Sequence, residues 1–315
     1  MNFGTDVEEI FAGETDWRPE VLVLGPGGMK GYLILGCLMN LEKNDYLKDV
    51  TKWVGCSIGA FISLLKIVGY GSIEIVNKSS DLSIFNAAQS ENSISKMKER
   101  HGLTGNEHIR SRLEKLVKEK IGMIPTMLEL YEHTGLELIV VATRLGSETI
   151  ETVFRKDTHP NLSCIDAVLA SSNIPYIFES VKFGGHEYID GALVDPYPIS
   201  ILDDGMTNIL GIYIYVDYGN VFNNFFSYTC AITSTSMDEL RRRSIKNSTR
   251  MCKHLRLKMP DIPLMGILLD EKTRGLMINS GYEQCKQYIL LNRNNIKIFK
   301  PSYDVDEVDF DSEEL

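Results

Sequence analysis

Apolar residues at the start of the chain form short continuous runs that alternate with longer runs of helical spacing. Residues 20–25, EVLVLG, are almost wholly apolar, which is typical of a strand covered on both faces. Residues 32–44, YLILGCLMNLEKN, have the length and spacing of a helix. A second strand and a second helix are predicted at residues 51–55 and 58–68. This alternation indicates an α/β fold in which a parallel sheet carries helices on its faces.

The pattern is less regular in the rest of the chain. Residues 72–134 are polar and predicted to be helical, and Thr104 to Glu107 match a capping box that would open one of these helices. Helices are also predicted to dominate beyond residue 223. The other predicted elements are strands at 136–145 and 149–156, a helix opened by a capping pattern at Ser163 to Asp166, a hairpin around Gly184 and Gly185, and a last strand at 208–216.

The net charge of −10 is concentrated at the end of the chain. The last twelve residues hold seven acids and no base, so the rest of the chain carries a formal charge of only −3. Such a balanced body argues against nucleic acid as a partner, because phosphate binding needs a basic face. The acidic end is therefore predicted to be a solvated, disordered tail.

No internal repeat or linker divides the chain into separate domains. We expect an N-terminal segment at residues 1–19, one domain over residues 20–300 and the acidic tail at residues 301–315. Within the domain, residues 21–220 carry the motifs considered below, and residues 221–300 form a helical C-terminal part.

One basic stretch has two open interpretations. Eight lysines and arginines occur between Arg241 and Lys258, in a segment predicted to be helical. They fit a solvated helix face. They also fit a contact with anionic lipid, because each basic residue near such a surface gains about 1 kcal/mol of electrostatic attraction.

Cysteine usage and hydropathy predict a cytoplasmic protein. The six cysteines show no C-x-x-C pair, which favours reduced thiols. The N-terminus lacks the features of a secretory signal. The longest apolar run, residues 53–65, falls short of the roughly 20 residues that a bilayer crossing needs.

Ser57 lies in a Gly-x-Ser-x-Gly pattern between the second predicted strand and the second predicted helix. A sharp turn there would expose its hydroxyl, and the small neighbours Gly55 and Gly59 would avoid clashes. The helix would also direct its first amides, and the positive end of its dipole, toward the same place. Taken alone, the pattern fits either a nucleophile or an ordinary turn.

Residues 25–31, GPGGMKG, fit a loop that binds an anion through main-chain amides. A P-loop would need Ser or Thr after Lys30, where the chain has Gly31. A dinucleotide-binding fingerprint would need Gly or Ala in place of Lys30. An oxyanion hole and a tight packing turn are the interpretations left open.

Asp190 is the third candidate, in the segment YIDGALVDPYPI. An acid at the end of a strand can point into a cleft, but Asp190 is followed by Gly191, and Asp-Gly is common in turns. On its own, this dipeptide is explained by a turn.

The three elements together are far more specific than any one of them. A glycine-rich loop after the first strand, Gly-x-Ser-x-Gly after the next, and Asp-Gly-Ala more than a hundred residues later resemble the patatin-like phospholipase family. The surrounding segments VLVLGPGGMKGYLILG, AVLASSNIPYIF and VKFGGHEYIDGALVDPYPI are also similar, from Val21 to about Pro198. The resemblance implies a three-layer patatin-like α/β fold, with a mostly parallel central sheet and helices on both faces.

The same resemblance implies a lipid acyl hydrolase, a phospholipase A-type esterase that works through an acyl-enzyme. Ser57 would be the nucleophile and Asp190 its base. An aspartate has an ordinary pKa of about 3.9, so Asp190 would need burial to raise its pKa. The substrate would be a phospholipid or another acyl lipid. The protein would then contact the membrane transiently and associate with it peripherally. No cofactor is expected.

The oxyanion hole implied by the family falls on Gly27 and Gly28, with Met29 as a weaker choice. Here the chain departs from the family pattern. Pro26 stands where a glycine is usual, and proline has no N–H to donate.

Two alternatives to the Ser/Asp enzyme stay open. Ser57, Asp190 and His254 follow the order of an α/β-hydrolase triad, although His254 lies in the predicted basic helix, where a surface histidine is usual. The chain could instead be an inactive lipid-binding protein of the same fold. The other histidines lack metal-ligand spacing, so no metal site is predicted.

Overall fold

The computed structural model describes residues 17–79, 102–216, 225–260 and 269–293. The strands within these ranges are β1 (Val21–Leu24), β2 (Lys52–Cys56), β3 (Gly102–Thr104), β4 (Glu137–Arg144), β5 (Glu151–Phe154), β6 (Tyr176–Phe178), β7 (Val181–Phe183), β8 (His186–Asp190), β9 (Ile209–Tyr215) and β10 (Cys252–Lys258). The α-helices are α1 (Gly31–Lys43), α2 (Ile58–Ile67), α3 (Ser72–Ser79), α4 (Glu107–Ile121), α5 (Met127–Thr134), α6 (Cys164–Ser171), α7 (Phe225–Asn247) and α8 (Glu271–Arg293).

The central sheet is mostly parallel, as the sequence predicts. Its strands follow the order β10-β9-β1-β2-β4-β8-β7, and β5 pairs with β4. The first five strands of this order run parallel to one another, whereas β8, β7 and β5 pair antiparallel. Leu24 lies beside Gly55 of β2 and Ile212 of β9. The carboxyl ends of these strands therefore meet at one edge of the sheet, where the loops after β1 and β2 emerge.

Helices cover both faces of the sheet. Leu22 and Leu24 belong to the larger apolar core, which is shared with α1, α2 and α6. Val21 and Val23 point to the other face and join a smaller core, against which Ile245 of α7 packs. Successive strand residues point to opposite faces, so β1 is buried on both sides. This three-layer arrangement explains why its sequence is continuously apolar.

Most predicted elements are confirmed to within a few residues at each end. These are β1, β2, β4, β5 and β9, helices α1 and α2, and the hairpin of β7 and β8 around Gly184 and Gly185. Helix α6 begins after Ser163, whose hydroxyl accepts a hydrogen bond from the amide of Ile165.

The prediction of a basic helix reaching Lys258 is wrong. Helix α7 ends at Asn247, and the last seven residues of the stretch form β10, the edge strand beside β9. Leu255 and Leu257 are buried, whereas Arg256 between them is exposed. A period of two with one polar face is typical of a strand with one side in solvent. The last strand is therefore β10 and not β9, among the residues described.

The capping box predicted at Thr104 is also wrong. Thr104 ends strand β3, which pairs with β6 in a separate small sheet. Helix α4 begins after Asn106 without a side-chain cap. A true capping box lies further along, where Thr126 and Glu129 exchange hydrogen bonds at the start of α5.

Three predicted regions lie wholly or partly outside the described residues. They are the N-terminal segment up to residue 16, the middle of the predicted helical region at residues 80–101, and the acidic tail. The remainder of that helical region contains α3, α4 and α5, but also the strand β3.

Helices α1 and α8 pack with their backbones in contact. A Cβ atom added at Gly36 would lie 2.0 Å from the carbonyl oxygen of Ile278 on α8. One added at Gly281 would lie 2.0 Å from the carbonyl oxygen of Leu33 on α1. Backbone atoms cannot move aside as a side-chain end can, so both glycines set the distance between these helices.

We expect Gly36→Ala to destabilise the protein by about 1–3 kcal/mol, because the added methyl group forces α1 away from α8. Gly275→Ala is the matched control on α8, since an added Cβ there has no heavy atom within 4 Å. The control should raise stability by up to about 1 kcal/mol through helix propensity. Denaturant unfolding measures both, and equal effects would contradict the close packing.

Candidate active site

Ser57 occupies a sharp turn between β2 and α2. Its backbone has φ 56° and ψ −126°, a left-handed conformation that is uncommon for a residue with a side chain. Such a conformation costs on the order of 1–3 kcal/mol and persists only where the surroundings impose it. The residue is 4% exposed.

Two glycines allow this turn because other backbone segments approach them closely. A Cβ at Gly55 would lie 2.3 Å from Cα of Ala60, and one at Gly59 would lie 2.2 Å from the carbonyl oxygen of Leu24. The first contact folds α2 back over the end of β2, and the second packs α2 against β1. The Gly-x-Ser-x-Gly pattern is thus a steric requirement of the turn.

Asp190 reaches Ser57 through the register of the sheet. Cys56 pairs with Val141 of β4, and the next residue of β4, Ala142, pairs with Asp190. Ser57, the residue after Cys56, therefore lies level with Asp190 across the sheet, and β4 runs between them. Gly191 lets the chain turn away here, since a Cβ would lie 2.1 Å from the carbonyl oxygen of Val141.

The two side chains are in direct contact. The Ser57 hydroxyl Oγ donates a hydrogen bond to Asp190 Oδ2 at 2.6 Å, although 133 residues separate them in the sequence. The other carboxylate oxygen, Oδ1, accepts the amide of Ala192 at 2.9 Å. Thr143 donates to the carbonyl oxygen of Asp190 at 2.8 Å. No imidazole stands between the serine and the carboxylate.

The environment favours the protonated form of Asp190. Burial raises its pKa from the ordinary 3.8 to about 6, while the hydrogen bonds from Ser57 and Ala192 act in the opposite direction. Desolvation of the charged form outweighs these bonds because the carboxylate is deeply buried. A raised pKa of Asp190 is what we expect from the sequence if this residue acts as a base.

The glycine loop lies beside Ser57. Gly28 has φ 53°, which favours glycine, and it opens a 3-10 turn that leads into α1. The amide of Lys30 bonds to the carbonyl of Gly27 at 3.0 Å, so the amides of Gly28 and Met29 precede the first intrahelical bond. Gly28, Met29 and Ser57 all line one cavity. The oxyanion roles of Gly27, Gly28 and Met29 stay a prediction.

Two residues of the loop have supporting roles in the packing. Gly27 has an extended backbone, and a Cβ there would lie 2.6 Å from Cδ1 of Ile214. A Cβ at Gly31 would lie 2.7 Å from Cγ1 of Ile58, the residue after Ser57. The absence of side chains therefore keeps the loop close to the turn that carries the serine.

The cavity above Ser57 is almost entirely apolar and has a volume of about 110 Å³. Its walls come from α1, α2, α3, α4 and the segment after α6. The larger side chains that form them are Tyr32, Leu35, Phe61, Ile62, Ile174 and Phe178.

His254 belongs to a different hydrogen-bond network. It lies on β10, with β9 and β1 between β10 and β2, so its backbone is roughly 14 Å from the Ser57 strand at about 4.8 Å per strand. Its Nδ1 is 2.9 Å from the hydroxyl of Tyr197, and its Nε2 is 3.0 Å from that of Ser248. Its placement in a surface helix is thus wrong.

Sequence reasoning missed three residues next to the site, Ser171, Ser172 and Asn173. Each makes a hydrogen bond to the backbone of Ser57 or Asp190. The signal was present in the segment AVLASSNIPYIF, where three consecutive polar residues follow directly on the apolar part of a helix.

A model of the patatin-like phospholipase family matches residues 22–203, more than half of the chain. The chain belongs to this family. The matched range includes the glycine loop, Ser57 and Asp190.

Two viral proteins are similar in sequence. The patatin-like chain is 30% identical over 186 residues to the probable lipid hydrolase 463L of invertebrate iridescent virus 6, covering 58% of this chain and 62% of that protein. The chain thus spans less than two thirds of that relative. It is 25% identical over 281 residues to uncharacterized protein R571 of Acanthamoeba polyphaga mimivirus, covering 85% and 93%.

VipD from Legionella pneumophila has a similar fold. The TM-score is 0.52 at 18% identity, over 87% of this chain and 67% of that structure. At this identity, the likeness concerns the α/β fold alone.

We expect Asp190→Asn to stabilise the protein at pH 8 but not at pH 4. Between pH 3.8 and about 6 the folded state keeps a proton that the unfolded state loses, so stability falls as pH rises through this window. Above about pH 6 the free energy of unfolding is lower by about 3 kcal/mol than at pH values below 3.8. Asparagine avoids this loss because it carries no charge to desolvate.

Denaturant unfolding of the parent and the variant at both pH values measures this difference. Burial also raises the pKa of Asp195 to about 6, but Asp195 is common to both proteins and cancels. A stability difference that does not change with pH would contradict the raised pKa of Asp190.

Proposed function

We propose that this chain is a lipid acyl hydrolase in which Ser57 is the nucleophile and Asp190 the base. The observation that carries the proposal is the direct hydrogen bond of 2.6 Å between their side chains, beside an apolar cavity. A base within hydrogen-bond reach of a hydroxyl is the geometry that nucleophilic catalysis requires.

In the first half of the reaction, Ser57 Oγ attacks the ester carbonyl carbon as Asp190 accepts the hydroxyl proton. The carbonyl oxygen becomes an oxyanion, which the amides of Gly27 and Gly28, or Met29, would bind. Each well-placed donor is worth roughly 100- to 1000-fold in rate. The C–O bond to the alcohol then breaks, and the alcohol leaves with the proton from Asp190.

The second half repeats these steps with water. Asp190 accepts a proton from the water molecule, whose oxygen attacks the acyl-enzyme carbonyl. The intermediate releases the fatty acid, and Ser57 regains its proton from Asp190. A carboxylate with a pKa of about 6 is a stronger base than an exposed aspartate and is still largely ionised at neutral pH. No step needs a metal or an organic cofactor.

The substrate proposed is a phospholipid or another acyl lipid. Apolar walls around Ser57 suit an acyl chain, and the head group would stay outside the cavity. The name of the iridescent virus relative, a probable lipid hydrolase, supports the same class. None of the helices in the described part of the chain is long and apolar enough to cross a bilayer.

Tyr176 is the residue that we assign to contact with a lipid surface. It is 60% exposed and has φ 68°, while Ile174 and Phe178 on either side line the cavity. An exposed aromatic ring thus lies between two residues that line the cavity, and aromatic rings favour the interface between lipid and water.

Labelling with a fluorophosphonate tests the proposed chemistry. We expect a covalent adduct on the Ser57 peptide that is absent in Ser57→Ala. Asp190→Asn should lower the labelling rate about 100- to 10,000-fold, since it removes the base. His254→Ala should keep most of the rate, because His254 bonds elsewhere.

Other outcomes separate the alternatives. No adduct on the parent protein would favour an inactive lipid-binding protein. A loss in His254→Ala as large as that in Ser57→Ala would favour the triad.

Tyr176→Ala should lower hydrolysis of phospholipid vesicles about 10-fold or more, since it removes most of an aromatic contact with the lipid. Hydrolysis of a short-chain, water-soluble ester should hardly change. Met206→Ala is the control, because Met206 is 76% exposed at the opposite edge of the sheet, before β9. Equal rates for the two variants on vesicles would refute the contact.

A further inference from the structure

Residues 171–173, here called the Ser-Ser-Asn segment, hold the backbones of both reacting residues. The amide of Ser57 donates to Ser171 Oγ at 2.9 Å, and Ser172 Oγ donates to the carbonyl oxygen of Ser57 at 3.0 Å. The amide of Asp190 donates to the carbonyl oxygen of Asn173 at 2.9 Å. Three consecutive residues thus contact the two halves of a pair that is 133 residues apart.

The amide of Ser57 has no partner in regular structure, whereas its carbonyl oxygen also accepts hydrogen bonds from the amides of Ala60 and Phe61 at the start of α2. The left-handed turn takes the amide of Ser57 out of both the sheet and the helix, and the residue is buried. A buried amide needs an acceptor. Ser171 supplies it, and Ser172 adds a hydrogen bond to the carbonyl oxygen of the same residue.

The segment is itself rigidly held. Ser171 and Asn173 are 0% and 1% exposed. The Asn173 side chain donates to the carbonyl oxygen of Tyr188 on β8 at 3.3 Å, so the asparagine contacts the strand of Asp190 twice. Movement of this segment would therefore change the position of the serine relative to the carboxylate.

We propose that the Ser-Ser-Asn segment is a positioning device for the hydrolysis, in which Ser171 and Ser172 fix the main chain of Ser57 and Asn173 fixes that of Asp190. The inference rests on the proposed function and adds positioning residues to it. Displacement of a reacting group by about 1 Å costs roughly 100-fold in rate.

One consequence concerns the oxyanion. The amide of Ser57 already donates to Ser171, so it does not point at the substrate. The donors must then come from elsewhere, which is consistent with the oxyanion role proposed for the glycine loop beside Ser57.

Ser171→Ala and Ser172→Ala test the proposal, with Ser63→Ala as the matched control. Ser63 is a buried serine on α2, 0% exposed, whose Oγ has no hydrogen-bond partner among the described residues. We expect both test variants to lower kcat on a soluble short-chain ester about 10- to 100-fold, with KM hardly changed. Fluorophosphonate labelling should slow in parallel, and Ser63→Ala should do neither.

The pH profile of kcat/KM distinguishes positioning from a general loss of stability. The hydrogen bond from Ser57 lowers the pKa of Asp190. If Ser57 moves, this bond weakens, and the acid limb of the profile shifts to higher pH. A variant that is merely less stable keeps the midpoint of the parent.

Ser172→Thr should restore the rate, since it keeps the hydroxyl at a half-buried position and provides a folded comparison if Ser171→Ala does not fold. The proposal is overturned if the parent is labelled but Ser172→Ala keeps the parental kcat and midpoint. A parent that shows neither labelling nor hydrolysis overturns the proposed function, and the positioning role with it.

Discussion

The buried hydrogen bond between Ser57 and Asp190 is the constraint that the surrounding fold has to satisfy. It joins two groups that are unfavourable in isolation, a serine with a left-handed backbone and a carboxylate deprived of water. The amide of Ala192 offsets part of the cost at Asp190. The remainder must come from the packing that surrounds the pair, so the fold stabilises the site and not the reverse.

The sheet brings the pair together by combining two strand directions. Ser57 lies at the carboxyl end of the parallel strand β2, where ligands bind in many α/β proteins. Asp190 instead ends the antiparallel strand β8, and pairing with Ala142 on β4 sets its position along the sheet. A shift of β8 by one residue would turn the carboxylate to the other face of the sheet. The site is thus as sensitive to register as to side-chain identity.

The features that the sequence predicts most directly are those with a steric and local basis. Gly55 and Gly59 flank Ser57 because backbone atoms approach them, and such requirements leave a short pattern in the sequence. Strand β10 was missed because its basic residues suggested a helix face, whereas the partner strand β9 made the segment extended. For the same reason His254 was assigned to the wrong element.

The sequence by itself determined the alternation of strands and helices, the sharp turn at Ser57 and the family to which the three motifs point. These properties depend on neighbours along the chain and on the absence of side chains at a few glycines. Only the tertiary structure decided that Asp190 meets Ser57 directly, that His254 bonds to Tyr197 and Ser248, and that residues 171–173 hold both backbones. Those contacts join segments separated by up to 133 residues, and strand register, which no local pattern encodes, brings them within hydrogen-bond distance.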